Sequence, residues 1–362
     1  MTARNSILVL PDGSLVSASG KLLYFSIDRF RKDIAEGDSC FVCGANPKDK
    51  KFNDEHVIPN WVLRECNISR AAMTLPNEEA YPYARYKVPC CVECNTELGS
   101  RVERPISELF KSGYANFVKS IREDSRGAYG LLFRLFHWLN LLFLKTHLKD
   151  RSLPLFLDRR IGIEKLSEIY DWASLHHIHC ISRLHFTNPN IDYRAIGSIF
   201  ILPALNFETF DRFDYGDLHD AKTMFVRIND IAVIAVMNDS CGCWSSRPEF
   251  INKWVKGPLS PIQLREILAR LGYLNTLIKE RPKFFSDIHQ GEYRISVETP
   301  PDVEIDACDA SVLGEMIFSA CKQFLKFMVC HDPAELERNI KSGRWTFIVD
   351  ADGKFIEQQV AP

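Results

Sequence analysis

Several signals are absent from this 362-residue chain, and each absence removes a class of function. It has no Gly-rich phosphate loop and no G-x-S-x-G elbow, so nucleotide hydrolysis and serine esterase chemistry lack support. It has no internal repeat and no low-complexity linker, which argues against a solenoid or a string of flexibly joined modules. Lysine plus arginine (45) nearly match aspartate plus glutamate (47), for a formal net charge of −2. With no chain-wide basic field, any contact with nucleic acid has to be local, metal-assisted or supplied by a partner. The apolar run Ile7-Leu8-Val9-Leu10 is too short for a signal-peptide core, so a cytoplasmic location is the expectation. The greasiest stretch, 128–148, is interrupted by Arg134, His137, Asn140 and Lys145, each costly at bilayer depth. It reads as a buried amphipathic helix, and no membrane association is expected.

What is present points to a folded protein: 46% of residues are hydrophobic and 25% charged, and the length suits two domains or three. The twelve cysteines do not read as a disulfide scaffold, because a chain of this size needs no staples and the most regular spacings are metal-like. Cys40-x2-Cys43 and Cys91-x2-Cys94, separated by 47 residues, supply four thiolates, the complement of one tetrahedral zinc. Cys90 adjoins Cys91, but only Cys91 keeps the two-residue spacing to Cys94, which leaves Cys90 for the core. Between the knuckles lies Asp54-Glu55-His56-Val57-Ile58-Pro59, and Asn95 follows the last cysteine. His56 is the one histidine inside the cluster, and an imidazole titrating near neutrality is suited to deprotonating water.

The expected fold class is α+β. A hairpin spans 7–25, and Ser26 caps a short helix. Glu55–Ile58 forms a strand stopped by Pro59, and a helical turn over 61–66 precedes a polar loop over 67–84. Tyr86–Cys90 is the returning strand, and a helix starts at Glu93 with Pro105 near its end or at a break. Strand, return strand and helix around one metal make a ββα unit. Residues 107–185 read as mostly helical and 186–362 as mixed α/β, with β-rich runs GSIFILPAL, AKTMFVRI and IAVIAVM. A helix over 260–280 is capped at Ser260, and strands near 292–298 and 345–349 flank a helix over 310–329. With no linker in the chain, the division at residue 106 rests on where the motif ends.

The residues Cys40-x2-Cys43, Glu55-His56-Val57-Ile58-Pro59 and Val88-Pro89-Cys90-Cys91-x2-Cys94-Asn95 carry a resemblance. Residues 5–105 resemble the zinc-containing branch of the HNH endonucleases, built on a ββα-metal finger. The resemblance implies metal-dependent hydrolysis of DNA phosphodiester bonds, with His56 as base and Glu55 and Asn95 holding one catalytic Mg2+ or Mn2+. It also implies a structural Zn2+ on Cys40, Cys43, Cys91 and Cys94. A carboxylate with an amide oxygen is a hard, partly open donor set suited to such an ion. Two positions depart from the family: Glu55 stands where Asp is usual, and Tyr86 stands where a middle asparagine is usual, with Asn77 a poor substitute by spacing. By analogy the remainder, 107–362, supplies recognition or control, as in partner-gated effectors of bacterial anti-phage defence, with a regulatory protein or a second copy as partner. The competing reading is a non-catalytic zinc-binding scaffold or nucleic-acid-binding module.

Other groups carry weaker signals. Glu103 is an accessory ligand or a solvated helix residue. Arg85, Lys87, Arg101 and Arg104 either meet phosphates or form an ordinary charged face. His176-His177-Ile178-His179-Cys180, Cys241-Gly242-Cys243 and Cys330-His331 fit no zinc spacing and read as packing before a second metal site.

Overall fold

The computed structural model describes residues 7–75, 77, 79–124, 130–206, 212–325 and 332–357. The chain opens with an antiparallel meander, β1 (Ile7–Val9), β2 (Leu15–Ser17) and β3 (Leu22–Tyr24). Gly13 makes its first turn at φ +83°, a conformation that favours glycine. The Ser26 hydroxyl accepts from the Arg29 N–H to cap α1 (Ile27–Arg29), and a π-helical turn extends it to Ala35. Next come β4 (Glu55–His56), α2 (Asn60–Glu65), β5 (Ala72–Thr74), β6 (Ala80–Pro82), β7 (Lys87–Val88) and α3 (Val92–Leu98). β5 and β6 pair as a hairpin inside the stretch read as loop.

A π-helical turn over Gly99–Glu103 carries α3 directly into α4 (Arg104–Lys111). Pro105 therefore does not end the helix. Its ring lacks an N–H and crowds the carbonyl four residues back, and the wider π turn just before it makes room. After α5 (Tyr114–Glu123) and α6 (Leu131–Asp150), residues 151–175 are irregular with short 3-10 turns, not helical as expected. Then follow α7 (His176–Ser182), α8 (Leu184–Thr187), β8 (Asn190–Ile191), β9 (Ile199–Pro203), β10 (Phe213–Leu218), β11 (Thr223–Ile228) and β12 (Ile231–Val236). The last elements are α9 (Gly242–Ser245), α10 (Glu249–Asn252), α11 (Pro261–Thr276), β13 (Lys283–His289), β14 (Glu292–Glu298), α12 (Ala310–Leu325) and α13 (Pro333–Lys341). The fold mixes helix and strand, as α+β requires.

Two compact units result. The first comprises Met1–Lys111, Ser120–Ala195 and Phe284–Val297, and the second Ser112–Lys119, Ile196–Lys283 and Glu298–Pro362. This partition differs from a division at residue 106, and α6 explains why. It is apolar on nearly every side and buried from Leu135 to Leu148, where the sequence suggested one polar face. It packs on α4, α7 and β7, so it is the core of the first unit. Several of its polar groups bond carbonyls one turn back: the Asn140 amide nitrogen, the Thr146 hydroxyl and the His147 ring meet Phe136, Leu142 and Phe143. Asn140 Oδ1 is left without a partner among the described residues. Among the described residues no helix is long and apolar enough to cross a membrane.

The second unit is built on an antiparallel sheet in the order β10-β11-β12-β9. β11 and β12 are buried on both faces. α11 packs on this sheet and on α12, started by the Ser260–Gln263 capping box with Pro261 in its first turn. The strand expected at 345–349 is instead irregular apart from one bridge, Val349 to Phe355. Its backbone is satisfied by α11 side chains: the Phe347 N–H donates to Glu266, and Gln263 donates to the Phe347 carbonyl. A buried apolar run thus dispenses with a neighbouring strand.

Candidate metal centre and adjoining active site

The first knuckle is a tight turn in which the Gly44 N–H bonds the Cys40 carbonyl and the Cys40 N–H bonds the Ala45 carbonyl. Gly44 takes φ +76°, and a Cβ there would meet the Phe25 ring at 2.7 Å, so both conformation and space select glycine. The second knuckle is the start of α3: Cys91 is its N-cap and Cys94 lies in its first turn. The ligand atoms of Cys40, Cys43, Cys91 and Cys94 all lie within 4.8 Å of one another, the sole such group found among the described residues. Tetrahedral zinc with sulfur at about 2.3 Å requires sulfur–sulfur edges of roughly 3.8 Å. The Cys43–Cys91 separation is 3.8 Å.

The electrostatics also fit a cation. Hydrogen bonds from Cys43 first, then Cys90 and Cys94, hold the Cys40 thiol far below its ordinary range, while its bond to Cys40 pushes Cys43 up to about 12. Cys90 and Cys94 are pushed up as well, chiefly by their bonds to Cys40. One thiolate forms by keeping its neighbours protonated, and further negative charge needs a positive ion at the centre. The cluster can hold a metal ion such as zinc. Cys90 is fully buried with its sulfur 3.9 Å from that of Cys40, beside the four rather than among them.

β4 and β7 pair antiparallel, Glu55 opposite Val88 and His56 opposite Lys87. The pleat sends Glu55 and His56 to opposite faces. His56 is half-buried and hydrogen-bonded to the Ala84 backbone. Desolvation first, then the nearby Lys87 charge, lowers its pKa, so the ring is neutral at physiological pH. A neutral, oriented imidazole is a competent proton acceptor.

Glu55 faces inward. Its Oε1 accepts from Lys145 Nζ of α6 at 2.7 Å, and the same ammonium donates to the His56 carbonyl at 2.8 Å. Glu103 Oε1 lies 3.8 Å from that ammonium. Burial first, then the Glu55 charge, pushes Glu103 up to about 8. Asn95 sits one residue past Cys94 on α3, and its Nδ2 donates to Asn53 Oδ1 (2.9 Å) and to the Asp54 carbonyl (3.0 Å). The hydrogen bonds of Asn95 thus reach the loop leading into β4, whereas those of the Glu55 carboxylate reach α6. The donor types would suit a hard divalent ion, but the two side chains do not meet at one point, and the Lys145 ammonium already occupies the carboxylate.

Tyr86, at the family's asparagine position, is buried with its hydroxyl on Asp150, and Asn77 donates to the Pro154 carbonyl. Arg85, Arg101 and Arg104 are exposed, and Arg101 pairs with Glu97. The principal residue that sequence reasoning missed is Lys145. Its signal was a lysine in the middle of an apolar helix, which has to find an acid.

The histidine cluster has a structural use. His176, His179 and Arg183 follow one face of α7 and its C-cap and bond backbone carbonyls of the N-terminal segment. His176 Nε2 reaches Phe25 O (2.8 Å) and His179 Nε2 reaches Phe41 O (2.9 Å). The fully buried Arg183 donates to Val42, Leu23 and Leu22 carbonyls. Phe41 and Val42 are the two residues between the knuckle cysteines, so α7 grips the metal loop. His177 stacks on Phe284 with ring centroids 3.8 Å apart. In the second unit, Cys241 and Cys243 belong to a turn held by the buried Asp239 carboxylate, which accepts from the Ser198 and Cys243 N–H groups. Cys330-His331 lies outside the described residues.

These buried groups make stability depend on pH. Desolvation lowers His137 to about 4 and His177 to about 3, so below the unfolded value of 6.5 the unfolded chain binds two protons more. Glu103, raised from 4.5 to about 8, binds its proton preferentially when folded, and that contribution is lost as pH rises through 8. Between pH 4.5 and 6.5 the net excess is one proton on the unfolded side, so stability rises by about 1.4 kcal/mol per pH unit. Above 6.5 Glu103 alone would lower stability toward pH 8, but the depressed Cys40 thiol, protonated preferentially in the unfolded chain, acts in the opposite sense. His176, His179 and His185, also lowered by burial, steepen the acid side. Urea midpoints are expected to rise from pH 4.5 to 6.5, and a flat profile over that range would contradict the burial assignments.

Comparison with protein-family models, with curated proteins and with solved structures gives no match to this chain.

Proposed function

We propose that the chain is a metal-dependent HNH endonuclease that hydrolyses DNA phosphodiester bonds, with β4, β7 and α3 as its ββα-metal finger. The observation that carries the reading is the placement of His56. A neutral imidazole, oriented by the Ala84 backbone, stands on a short antiparallel strand pair tied by Asn95 to the helix whose first turn completes a four-sulfur cluster. Cys40, Cys43, Cys91 and Cys94 hold Zn2+ as a structural ion that fixes the two knuckles.

In the proposed reaction His56 takes the proton of the attacking water on the ring nitrogen that Ala84 leaves open. The resemblance assigns Mg2+ or Mn2+ to Glu55 and Asn95, but Glu55 is turned inward onto Lys145, on the face opposite His56, while Asn95 bonds Asn53 and Asp54. As placed, these two side chains do not form one ion site, and no step runs through it. Asn95 keeps the loop before β4 fixed through Asn53 and Asp54, so the base approaches from a constant direction. The long remainder of the chain serves recognition or gating by a partner.

Supercoiled plasmid incubated with the protein and Mg2+, Mn2+ or a chelator tests the activity. His56→Ala is expected to lower the cleavage rate by about 10²–10⁴-fold, in line with the loss of a general base. Zinc content and the thermal midpoint should stay at wild-type values. A His56→Ala protein that cuts as fast as wild type would remove the nuclease assignment and leave the zinc scaffold.

A further inference from the structure

Beside the β4–β7 strand pair that carries His56 lies a cleft of about 180 Å3 lined by Asp54, Lys87, Lys149, Arg151 and Ser152, with Val88, Pro89 and Leu148 as its apolar wall. Two elements distant in sequence build it, β7 and the C-terminal end of α6 with the turn that follows. Three of its side chains are cations and one is an anion.

The cations differ in how far they are already satisfied. Arg151 is anchored: it donates to the Ile34 carbonyl at 3.2 Å and pairs with Asp38, whose own side chain is largely exposed. Lys149 has its ammonium 5.5 Å from the centroid of the Tyr81 ring. Neither Lys87 nor Lys149 is ion-paired among the described residues. In this unit Lys50 pairs with Glu93, Lys111 with Glu65 and Lys145 with Glu55. Two uncompensated ammonium groups directed to one cleft repel each other, and an anion there would relieve that repulsion.

Position adds the second argument. Lys87 is the cross-strand partner of His56, so both side chains stand on the same face of the β4–β7 pair. Their proximity is felt electrostatically, because Lys87 is among the groups that lower the His56 pKa. Asp54, at the other side of the cleft, immediately precedes Glu55 and is bonded through its carbonyl to Asn95. The cleft therefore begins where the proposed chemistry takes place.

We propose that this cleft is a phosphate subsite that holds the DNA backbone at a phosphodiester flanking the one to be cut, with Lys87 and Lys149 as its main contacts. The inference rests on the nuclease reading for its ligand. It explains how a chain of net charge −2 grips a polyanion, since the positive charge is local to the place where it is used. Asp54 opposes the anion and limits the grip, which favours release after cleavage.

The test reads binding apart from cleavage. A fluorescein-labelled 20-base-pair duplex is titrated by anisotropy, without added divalent cation, across a salt series, using wild type and Lys87→Gln/Lys149→Gln. Each phosphate contact contributes about 0.9 to the slope of log K against log salt. The double variant is expected to lower that slope by about 2 and to weaken binding at low salt by at least about tenfold. Asp54→Asn is expected to tighten binding. Lys256→Gln/Lys354→Gln, exposed lysines of the second unit, should leave the slope unchanged. Equal slopes for wild type and the cleft variant would overturn the subsite, whether or not the protein cuts plasmid. Conversely, a wild type that shows the cleft-dependent slope but never cuts would retain the subsite and remove the nuclease.

Discussion

Stripping the metal from the Cys40–Cys43–Cys91–Cys94 cluster is expected to unfold the first unit. The two knuckles are joined by 47 residues of chain. Between them the secondary structure consists of a two-residue strand pair, a six-residue helix and a short hairpin. Such elements do not fix their own ends, and an ion bound by the four sulfurs would supply the crosslink. Structural zinc in small fingers contributes about 10–16 kcal/mol of apparent binding energy, against a typical net domain stability of about 5–15 kcal/mol.

Here the effect extends beyond the finger. His179 and Arg183 are bonded to the carbonyls of Phe41 and Val42, within the first knuckle. If that loop opens, a fully buried guanidinium loses an acceptor, which is costly to leave unmade. Treatment with a strong chelator, or Cys94→Ser, should therefore abolish the cooperative thermal transition of the first unit. Restored Zn2+, but not Mg2+, should recover the chelated wild-type protein. The same melting curve at zero metal content would show that the sulfur cluster is packed without an ion.

The sequence announced the local parts of this site well and its enclosure poorly. Paired C-x2-C spacing carried enough information to select the four cysteines, Cys91 over Cys90 included, because ligand spacing is set by a tight turn and a first helical turn. The Ser26 and Ser260 caps were legible for the same reason: capping depends on three or four consecutive residues. What was not legible depends on distant pairing. Residues 345–349 have a strand-like composition, yet Glu266 and Gln263 of α11 satisfy the backbone. The histidines at 176 and 179 resemble ligands by type, and their partners are backbone carbonyls 151 and 138 residues away in sequence. The two compact units were not legible either, since nothing in α6 tells which segment its apolar surface will cover.

Lys145 is the sharpest instance of that enclosure, and its replacement carries the other large expected effect. Its side chain is 4% exposed, and its ammonium faces Glu55 Oε1, the His56 carbonyl and, at 3.8 Å, Glu103 Oε1. Lys145→Met keeps the apolar stem and removes the charge, leaving a buried carboxylate at Glu55 without its counter-ion. Breaking one side of such a pair costs about 3–5 kcal/mol. A urea midpoint indistinguishable from wild type would show that solvent reaches Glu55 in place of the lysine. Glu55→Gln alone should cost less, because a neutral amide still accepts from Nζ. The double variant Lys145→Met/Glu55→Gln should recover about 1–3 kcal/mol relative to Lys145→Met, the coupling expected of contacting residues.

Cleavage is expected to follow a different rule from stability. β4 is two residues long, and the His56 carbonyl bond to Lys145 is one of the few that fix its backbone. The double variant restores charge balance without restoring that bond, so it should fold well and cut DNA poorly. Lys145→Arg retains a donor at the carbonyl but places it on a longer, planar head, and should recover activity only in part. If the double variant cut at the wild-type rate, Lys145 would be a counter-charge alone, and the position of His56 would rest on the β4–β7 pairing and the Ala84 contact.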